Sequence, residues 1–492
     1  MNVINTNIGA INAQANMTRV NEDMSQAMNR LSSGLRINAA KDDAAGMAIA
    51  EKMTSQIMGL NQAVRNATDG KNLLDTTEGA HVEISNMLQR LREMAVQSSN
   101  DTNTASDRRN LNAETRQLIG EINRVAQDTT FNGMNVLDGT FEGKQFQIGA
   151  DAGQVVTVDV DSASATDIGA NVINTSASLA GGAAVADTAI AAGTTINITG
   201  FAGSAELTTT AGQSAQELAQ AINDVGGSTG VTATATTKVQ LAALSAADTV
   251  EFTLNGVTIG AAAVSDVNDL SSIASAINNA SGQTGVTATM GDTDASIILT
   301  DATGADIIIE DFTSGAGTST LDATVLNADE TAAGTTAGVH TFQLDDTDND
   351  IAVAGQVELS SAEQFAVGTD VVVPGTVFFE AAANTSVLSS VSEIDLSTQE
   401  GAAAALKVID VALEKISSAR SDLGAISNRL DSTVSNLTNI SVNVEAARSG
   451  VMDADFAKES SELAKANILS QASTSMLAQA NSSSENLLSL LR

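Results

Sequence analysis

A long apolar seam near the C-terminus constrains the fold of this chain more than any other feature. Its side chains recur at steps of three and four over roughly forty residues, which is a helical period close to a heptad. No proline interrupts the seam, so it predicts one helix of ~60 Å at ~1.5 Å per residue. A helix with a single apolar stripe is marginal alone and needs partners. The seam consists of Leu406, Ile409, Leu413, Ile416, Leu423, Ile426, Leu430, Val434, Leu437, Ile440 and Val444.

A second seam of similar length spans residues 57–95. Because the two seams match in period and length, we expect them to pair in a core domain. His81 falls on the second seam, where a packed imidazole is favoured over a metal ligand or a base. A third, shorter seam spans residues 111–125, with Ser106 or Asp107 available as its cap. The predicted core-domain seam contains Leu60, Val64, Leu74, Leu88, Leu91, Leu413, Ile416, Leu423, Leu430 and Leu437.

Both chain ends carry weaker apolar stripes. These stripes are diluted by Asn, Ala, Ser and Thr, so each end needs a partner to remain helical. Gly34 and the polar residues around it indicate a break between the first stripe and the second seam. The two ends have similar compositions, and we predict that they pair with each other as helices. Their stripes contain Ile4, Ile8, Ile11, Met24 and Leu31 at one end and Leu469, Met476, Leu487 and Leu491 at the other.

The negative charge of the chain is concentrated in its middle. The full sequence has a net charge of −36, and residues 151–400 hold 32 acidic residues against one base, Lys238. Nucleic acids and anionic membranes attract proteins of the opposite sign. No apolar run approaches the ~18–20 residues that span a bilayer. We therefore expect no nucleic-acid partner and no membrane insertion, and the first residues lack the features of a cleaved signal peptide.

An internal repeat organises part of this acidic middle. The segment 221–234 recurs as 276–289, each copy with a short helical seam flanked by β-branched runs. This predicts two tandem strand–helix–strand modules. The fold class is thus multi-domain: an all-α coiled-coil or helical-bundle core of paired N- and C-terminal segments, with a β-rich α+β insert that forms outer domains. The expected domains are 1–45 with 455–492, 46–175 with 396–454 (including a small β-hairpin region), and 176–395, the last with repeats at about 195–245 and 250–301.

No catalytic, cofactor-binding or metal-ligating residue is predicted. The sequence has no cysteine, which excludes disulfides, thiol nucleophiles and cysteine metal sites. It has no His-Glu-x-x-His motif, no phosphate-binding glycine loop and no dinucleotide-type glycine triplet. Residues 346–350 resemble the opening of a calcium loop, but Ile351 and Val357 replace its glycine and its bidentate glutamate. The residues indicate a solvated acidic loop, and no enzyme.

Several motifs at both ends resemble those of bacterial flagellin. The resemblance covers about residues 1–175 and 395–492, and the tandem modules are similar to a small repeat in the outer domains of some flagellins. The motifs are Leu31-Ser32-Ser33-Gly34-Leu35-Arg36-Ile37-Asn38, Asp42-Asp43-Ala44-Ala45-Gly46, Phe131-Asn132-Gly133, Arg420-x-x-Leu423-Gly424-Ala425-x-x-Asn428-Arg429, Asp453-Ala454-Asp455-Phe456-Ala457 and Met476-Leu477-Ala478-Gln479-Ala480-Asn481.

The resemblance implies a structural subunit that polymerises into the helical flagellar filament for motility. It implies export in the unfolded state by the flagellar type III route, without a cleaved signal, to an extracellular location. The terminal stripes would form the coiled coil at the polymer core and fold on assembly. The implied partners are further copies of the chain, hook-associated junction and cap proteins, and an export chaperone at the tail, 455–492.

The resemblance also implies a surface read by the flagellin-sensing Toll-like receptor of a host. Met94 stands in this surface where the family often has Leu, a change that conserves volume. The alternative is that the same residues only pack against a neighbouring subunit. The surface comprises Gln89, Arg90, Glu93, Met94, Glu114 and Gln117.

Two other functions stay open from the sequence. A hook–filament junction protein shares the helical ends, although the full set of motifs argues against it. A secreted adhesin would carry its function in the insert, and binding of glycans by residues 176–395 would support it. An enzyme is the least favoured class, because a metal-dependent protease insert needs a zinc motif that this sequence lacks.

Overall fold

Helices occupy both ends of the chain and strands occupy its middle. This arrangement confirms the fold class expected from the sequence. The computed structural model describes residues 6–489 except 176, 183–192, 211, 292, 316, 329, 331–333, 336–337, 340 and 370–382. The helices are α1 (Ile8–Ser33), α2 (Ala44–Ser98), α3 (Ala105–Asp128), α4 (Ala215–Asp224), α5 (Gly226–Thr229), α6 (Ser271–Thr284), α7 (Gln399–Met452) and α8 (Phe456–Ser489), with a 3₁₀ turn at Val391–Glu393.

Local side chains set the ends of the long helices. The Asn7 side chain accepts a hydrogen bond from the Ala10 N–H at the start of α1. The helix ends at Gly34, whose φ of 72° lies in the left-handed region that glycine adopts without steric strain. Helix α3 begins with a capping box in which Thr104 and Asp107 exchange side-chain-to-backbone hydrogen bonds. The cap is therefore Thr104, and the sequence-based choice of Ser106 or Asp107 as the cap residue was wrong.

The strands of the described chain are short and pair in antiparallel fashion. They are β1 (Thr130–Phe131), β2 (Met134–Asn135), β3 (Lys144–Gln147), β4 (Val155–Val158), β5 (Gly169–Asn174), β6 (Ser178–Gly182), β7 (Thr195–Gly200), β8 (Gly203–Thr208), β9 (Thr232–Ala242), β10 (Thr249–Leu254), β11 (Val257–Ala263), β12 (Thr287–Met290), β13 (Ser296–Asp301), β14 (Ile307–Ser314), β15 (Leu321–Leu326), β16 (Gly334–Thr335), β17 (Gly338–Val339), β18 (Thr341–Leu344), β19 (Asp350–Ala354), β20 (Gln356–Ser361), β21 (Ala366–Thr369), β22 (Ala383–Thr385) and β23 (Val387–Ser390).

Three larger sheets lie in the part of the insert that the structure describes. One has the order β11-β10-β14-β19-β6, and a second has the order β22-β21-β7-β8. The third follows β12-β13-β9-β20-β5-β23, with β15 and β18 branching from the long strand β9. Strand β9 pairs with β20 along its first half and with β13 and β15 along its second half. One strand therefore joins sheet segments that lie far apart in sequence.

The two repeats fold alike, each as a hairpin, a helix and a following strand. Each helix contributes an asparagine whose side chain bonds both polar groups of one backbone residue ten positions later. Asn223 Nδ2 donates to the Ala233 carbonyl and its Oδ1 accepts from the Ala233 N–H, each at 2.8 Å. Asn278 makes the same two bonds to Ala288 at 2.8 Å. The sequence predicted two strands per repeat, whereas the structure has three in the first, β7 to β9, and four in the second, β10 to β13.

The described residues of the insert form two apolar clusters. Helix α6 covers the larger one, which contains the buried rings of Phe252 and Phe312. Helix α4 covers the smaller one, where Leu218 and Ile222 pack with Phe365. These aromatic and branched side chains supply the apolar area that stabilises a segment otherwise rich in Ala, Thr and Gly.

The chain divides into two compact units. One comprises residues 1–76, 142–159 and 423–492, and the other comprises 77–141 and 160–422. The domain limits expected from the sequence stay a prediction. Within the described residues, no helix combines the length and apolar character that a bilayer span needs.

Candidate assembly surface

Helices α1 and α8 pack side by side within the first unit. Ala27 and Ala466 are the buried apolar residues of this pair. Near the free ends of the two helices, Asn7 Nδ2 donates to the Ala480 carbonyl at 3.1 Å. Small side chains at the contact allow two helix axes to approach closely. Half-buried apolar side chains lie on the same helix faces at spacings of three and four, namely Met17, Val20, Met24 and Leu31 on α1 and Leu463 and Leu477 on α8.

A buried ion pair joins the same two helices at their other end. Arg30 Nη1 lies 3.1 Å from Glu459 Oε1, and the exposed fractions of these side chains are 23% and 6%. Two further atoms of the pair, Arg30 Nε and Glu459 Oε2, are buried and have no hydrogen-bond partner in the described chain. Arg30 lies in the last turn of α1 and Glu459 in the first turn of α8. Each side chain therefore has the sign that the partial charge at its helix end attracts.

Backbone hydrogen bonds hold the connector after α1 against the end of α7. The Arg36 N–H donates to the Met452 carbonyl at 2.6 Å, and the Ala454 N–H donates to the Gly34 carbonyl at 3.0 Å. The Asp455 side chain then accepts from the backbone at the start of α8. The flagellin-like motifs on either side of Gly34 and around Asp455 therefore meet in one junction.

The outward apolar face of α1 and α8 is not covered by the chain itself. Ile8 and Ile11 are each 56% exposed, and Met476 is 66% exposed. Long apolar side chains stabilise a protein when they are buried, by ~1.5–3 kcal/mol each. Several such residues exposed on two adjacent helices mark an unfilled contact. We define this face as Ile8, Ile11, Met28, Ile468, Leu469 and Met476.

The terminal residues predicted from the sequence occupy different environments. Met24 and Leu31 are half-buried, whereas Ile8, Ile11, Leu469 and Met476 belong to the outward apolar face. Ile4 and Leu491 lie outside the described residues, and Leu487 lies in α8 without a described side chain. Ala466, Glu459 and Ile468 were missed, because the apolar stripe read from the sequence does not reveal which face the chain covers.

The ten residues of the predicted core-domain seam lie on α2 and α7. All of them are buried except Val64 and Leu413, which are half-buried. In the first unit, Leu60, Ala63 and Leu437 form one apolar cluster. In the same unit, Lys71 Nζ lies 2.8 Å from Asp431 Oδ1.

In the second unit, ion pairs again join α2 to α7. Arg420 Nη2 lies 2.8 Å from Glu78 Oε1, and Arg92 Nε lies 2.5 Å from Asp410 Oδ1. Exposed pairs of this kind contribute little stability, ~0–1 kcal/mol each. Each pair instead holds its two positions side by side, which favours one register of α2 against α7 in this unit.

His81 lies on α2 in the second unit with its imidazole buried. Neither ring nitrogen has a hydrogen-bond partner in the described chain. Burial lowers the pKa of His81 to about 4. Glu78 and Asp161 act in the opposite direction, while Arg420 lowers the pKa further. The packed, neutral imidazole agrees with the sequence-based expectation.

Acid should destabilise the second unit through His81. An unfolded histidine takes up its proton near pH 6.5, whereas the folded one resists protonation until about pH 4. Between these values the unfolded state binds more protons, so the free energy of unfolding falls as pH falls, by about 3 kcal/mol in total. Urea titrations of His81→Leu across this range should lack that part of the pH dependence. His340→Gln, at the other histidine, is the control, and parallel curves for His81→Leu and the unmodified chain would contradict the assignment.

The surface predicted for receptor recognition is mostly polar and exposed. Arg90 is its centre, with Nη1 2.6 Å from Glu93 Oε2 and Nη2 3.0 Å from Glu114 Oε1. Gln89 and Gln117 are also exposed. These residues share one face of α2 and α3. Met94 is completely buried, so its side chain cannot take part in a direct contact at this surface.

The ends of the chain match two family models. The model for the bacterial flagellin N-terminal helical region covers residues 4–142, and that for the C-terminal helical region covers residues 406–491. The B-type flagellin of Pseudomonas aeruginosa is 36% identical over 495 residues, which cover 99% of each chain. This chain belongs to the bacterial flagellin family. The flagellin of Salmonella typhimurium is 34% identical, over 100% of this chain and 99% of that protein.

The insert also contains a recognised family feature. The flagellin hook IN motif matches residues 195–247 and 251–303, which are the two repeats. Among solved structures, FliC from Burkholderia pseudomallei is 20% identical at a TM-score of 0.29, covering 73% of this chain and 99% of that one. The flagellar junction protein FlgL from Legionella pneumophila is 14% identical at a TM-score of 0.33, covering 82% and 100%. Membership of the flagellin family rests on the sequence relatives rather than on these low scores.

Proposed function

We propose that this chain is the structural subunit of a bacterial flagellar filament, a helical homopolymer that serves motility outside the cell. The observation that carries the proposal is the outward apolar face of α1 and α8. Six large apolar side chains are exposed there, on the two helices that join the ends of the chain. Further copies of the chain are the occupants that flagellin family membership favours. The role is structural and involves no catalysis.

Folding of the terminal helices is coupled to assembly in this proposal. Among the described residues of α1 and α8, only Ala27 and Ala466 are fully buried apolar residues, and the larger apolar side chains are half-buried or exposed. The helix pair therefore buries little apolar area without neighbours. Neighbouring subunits supply the missing contacts, and the helices become stable only in the polymer. This coupling confines growth to the filament end. The same weakness suits export in the unfolded state by the flagellar type III route without a cleaved signal.

Seeded polymerisation tests the proposed function. Purified chain is mixed with filament fragments and imaged by negative-stain electron microscopy, beside a chain that lacks residues 455–492. Long uniform filaments from the full chain and none from the truncated chain are the expected result. A full chain that never polymerises would favour the junction or adhesin function. The adhesin function would then be tested by glycan binding to the full chain.

In the same proposal, the acidic insert keeps neighbouring filaments apart. Residues 151–400 carry a net charge of −31, and the sole base among them, Lys238, pairs with Glu330 at 2.8 Å. Exposed on a filament, this charge repels neighbouring filaments and keeps them dispersed. Hook-associated junction and cap proteins are the proposed partners at the two ends of the polymer.

An export chaperone is the proposed partner of residues 455–492 before assembly. Ile468 and Met476 are 67% and 66% exposed, and such side chains need cover in an unassembled subunit. Deletion of 455–492 should abolish co-purification with the chaperone. A deletion of residues 1–45 serves as the control and should retain binding. Co-purification of the tail-deleted chain would rule out this site.

Recognition by a host Toll-like receptor is proposed for the exposed surface centred on Arg90. Arg90→Asp removes both ion pairs of Arg90 and places a carboxylate beside Glu93 and Glu114. Loss of a central arginine from an interface costs ~2 kcal/mol or more, so signalling by the monomer should weaken by ~30-fold or more. Arg124→Asp, at another exposed arginine of α3, is the matched control. Unchanged signalling from Arg90→Asp would end this proposal.

A further inference from the structure

The sequence contains two Asn-Gly dipeptides, and both form the same kind of turn. Asn132 and Gly133 connect β1 to β2, and Asn255 and Gly256 connect β10 to β11. The φ angles are 50° and 77° in the first turn and 48° and 77° in the second. Positive φ at both central residues defines the type I′ hairpin turn that Asn-Gly favours. The two sites therefore offer the same local chemistry in nearly the same backbone conformation.

Asn-Gly sequences are prone to one spontaneous reaction. The backbone nitrogen that follows the asparagine attacks the side-chain Cγ and a new C–N bond forms. The bond from Cγ to Nδ2 breaks, and the amide nitrogen leaves as ammonia with the proton that the backbone nitrogen loses. The product is a five-membered succinimide, which water then opens to an aspartyl or an isoaspartyl residue. Glycine permits this ring because it has no Cβ near the attacking nitrogen. The turn must first leave its type I′ geometry, so local opening controls the rate.

The surroundings of Asn255 oppose this reaction. Its Nδ2 donates to the Thr284 carbonyl at 3.1 Å, and its Oδ1 accepts from the Ile308 N–H at 2.8 Å. Its own backbone N–H donates to the Ile308 carbonyl at 2.9 Å. The turn also joins two longer strands within a five-stranded sheet. Ring closure at Asn255 therefore requires the loss of several hydrogen bonds at once.

Asn132 has none of these restraints. It is exposed, and neither its amide nor the Gly133 N–H forms a hydrogen bond with any described residue. Strands β1 and β2 are two residues each and pair only with each other. Two-stranded hairpins this short open at low free energy.

We propose that Asn132 is a site of spontaneous deamidation, with water as the co-reactant, and that Asn255 is protected by its hydrogen bonds. The reaction adds one negative charge to the turn after α3. In the isoaspartyl product it also lengthens the backbone by one carbon, which breaks the two-residue turn geometry. The modified fraction at position 132 records the age of a subunit.

Site-resolved mass spectrometry tests the proposal on the full chain. Folded protein is aged in mildly alkaline buffer, digested, and the deamidated fraction is quantified at both asparagines. Native protein should convert Asn132 at least ~10-fold faster than Asn255, which corresponds to ~1.4 kcal/mol of additional opening free energy at Asn255. Chain aged in denaturant should convert both sites at similar rates. Asn132→Gln should lose the product at position 132 while Asn255 behaves as before.

Three results would overturn the proposal. One is the absence of deamidation at Asn132 in the folded chain under conditions in which the denatured chain is deamidated there. Another is equal conversion of both sites in the folded chain. The third is slow deamidation of Asn255 in denaturant as well. The difference in rate between the two sites would then arise from the neighbouring sequence rather than from the fold.

Discussion

Met476→Asp should abolish seeded filament growth and leave the fold of the unassembled chain unchanged. Met476 is 66% exposed, so a carboxylate at this position stays hydrated before assembly. In a polymer that covers the outward apolar face, the same carboxylate loses its water without gaining a cation. Such burial costs ~3 kcal/mol or more, which raises the critical concentration for assembly by ~100-fold or more. Sedimentation of polymer from a concentration series measures the effect.

Asn467→Asp is the matched control for this prediction. It adds the same charge to the same helix with almost no change in side-chain volume, at an exposed position next to Ile468. One step along a helix turns the side chain by ~100°, so position 467 lies beside the outward apolar face rather than within it. Circular dichroism of both unassembled variants should match the unmodified chain. Normal filaments from Met476→Asp would show that copies of the chain do not cover this face.

The sequence predicted the long helices well because their signal is local and repeated. The seams of α2 and α7 each continue over many turns, and most of the ten predicted core residues are buried. The end of α1 at Gly34 was equally readable, since a left-handed residue after a helix favours glycine. The cap of α3 could not be predicted from the sequence, because Thr104, Ser106 and Asp107 are all residue types that cap helices well. Only the backbone conformation decides among such neighbours.

The periodicity of the terminal apolar stripes did not predict which surfaces cover them. A stripe shows which residues are apolar, but not whether this chain or another one covers them. On α8 the large residues Leu469 and Met476 are exposed, whereas Ala466 is buried and Leu477 is half-buried. Residues 459 and 30 lie at opposite ends of the sequence, and no local pattern links two charges so far apart. The sequence therefore predicted the apolar residues of the candidate surface, and the packing showed which of them the chain itself covers.

The topology of the insert was the least predictable part of the fold. Its runs of β-branched residues were visible, and so was the repeat. The pairing of β9 with β13, β15 and β20 depends on contacts over long separations, which strand propensity does not encode. The second strand of each hairpin was missed because β8 and β11 contain Gly and Ala, which have low strand propensity. Pairing with the preceding strand overrides that preference.

A double-mutant cycle at Arg30 and Glu459 should give the second large effect. Glu459→Leu leaves the guanidinium of Arg30 largely buried without its carboxylate, and breaking a buried ion pair from one side costs ~3 kcal/mol or more. Because α1 and α8 fold on assembly in the proposed function, this cost should raise the critical concentration by ~100-fold or more. The double variant Arg30→Met with Glu459→Leu should assemble nearly as well as the unmodified chain. Apolar side chains of similar volume carry no desolvation penalty.

The unsatisfied atoms of this pair are the reason to expect recovery in the double variant. Arg30 Nε and Glu459 Oε2 lie buried without partners, so the ion pair keeps part of its desolvation cost in the folded chain. Arg19→Met, at an exposed arginine of α1 outside any ion pair in the described chain, controls for the loss of one positive charge. Additive effects of the two single changes would mean that the residues act independently. The other outcome is a large coupling free energy together with normal assembly of the double variant. It would show that the ion pair mainly specifies how α1 and α8 align, because two apolar residues would supply the same stability without fixing the alignment.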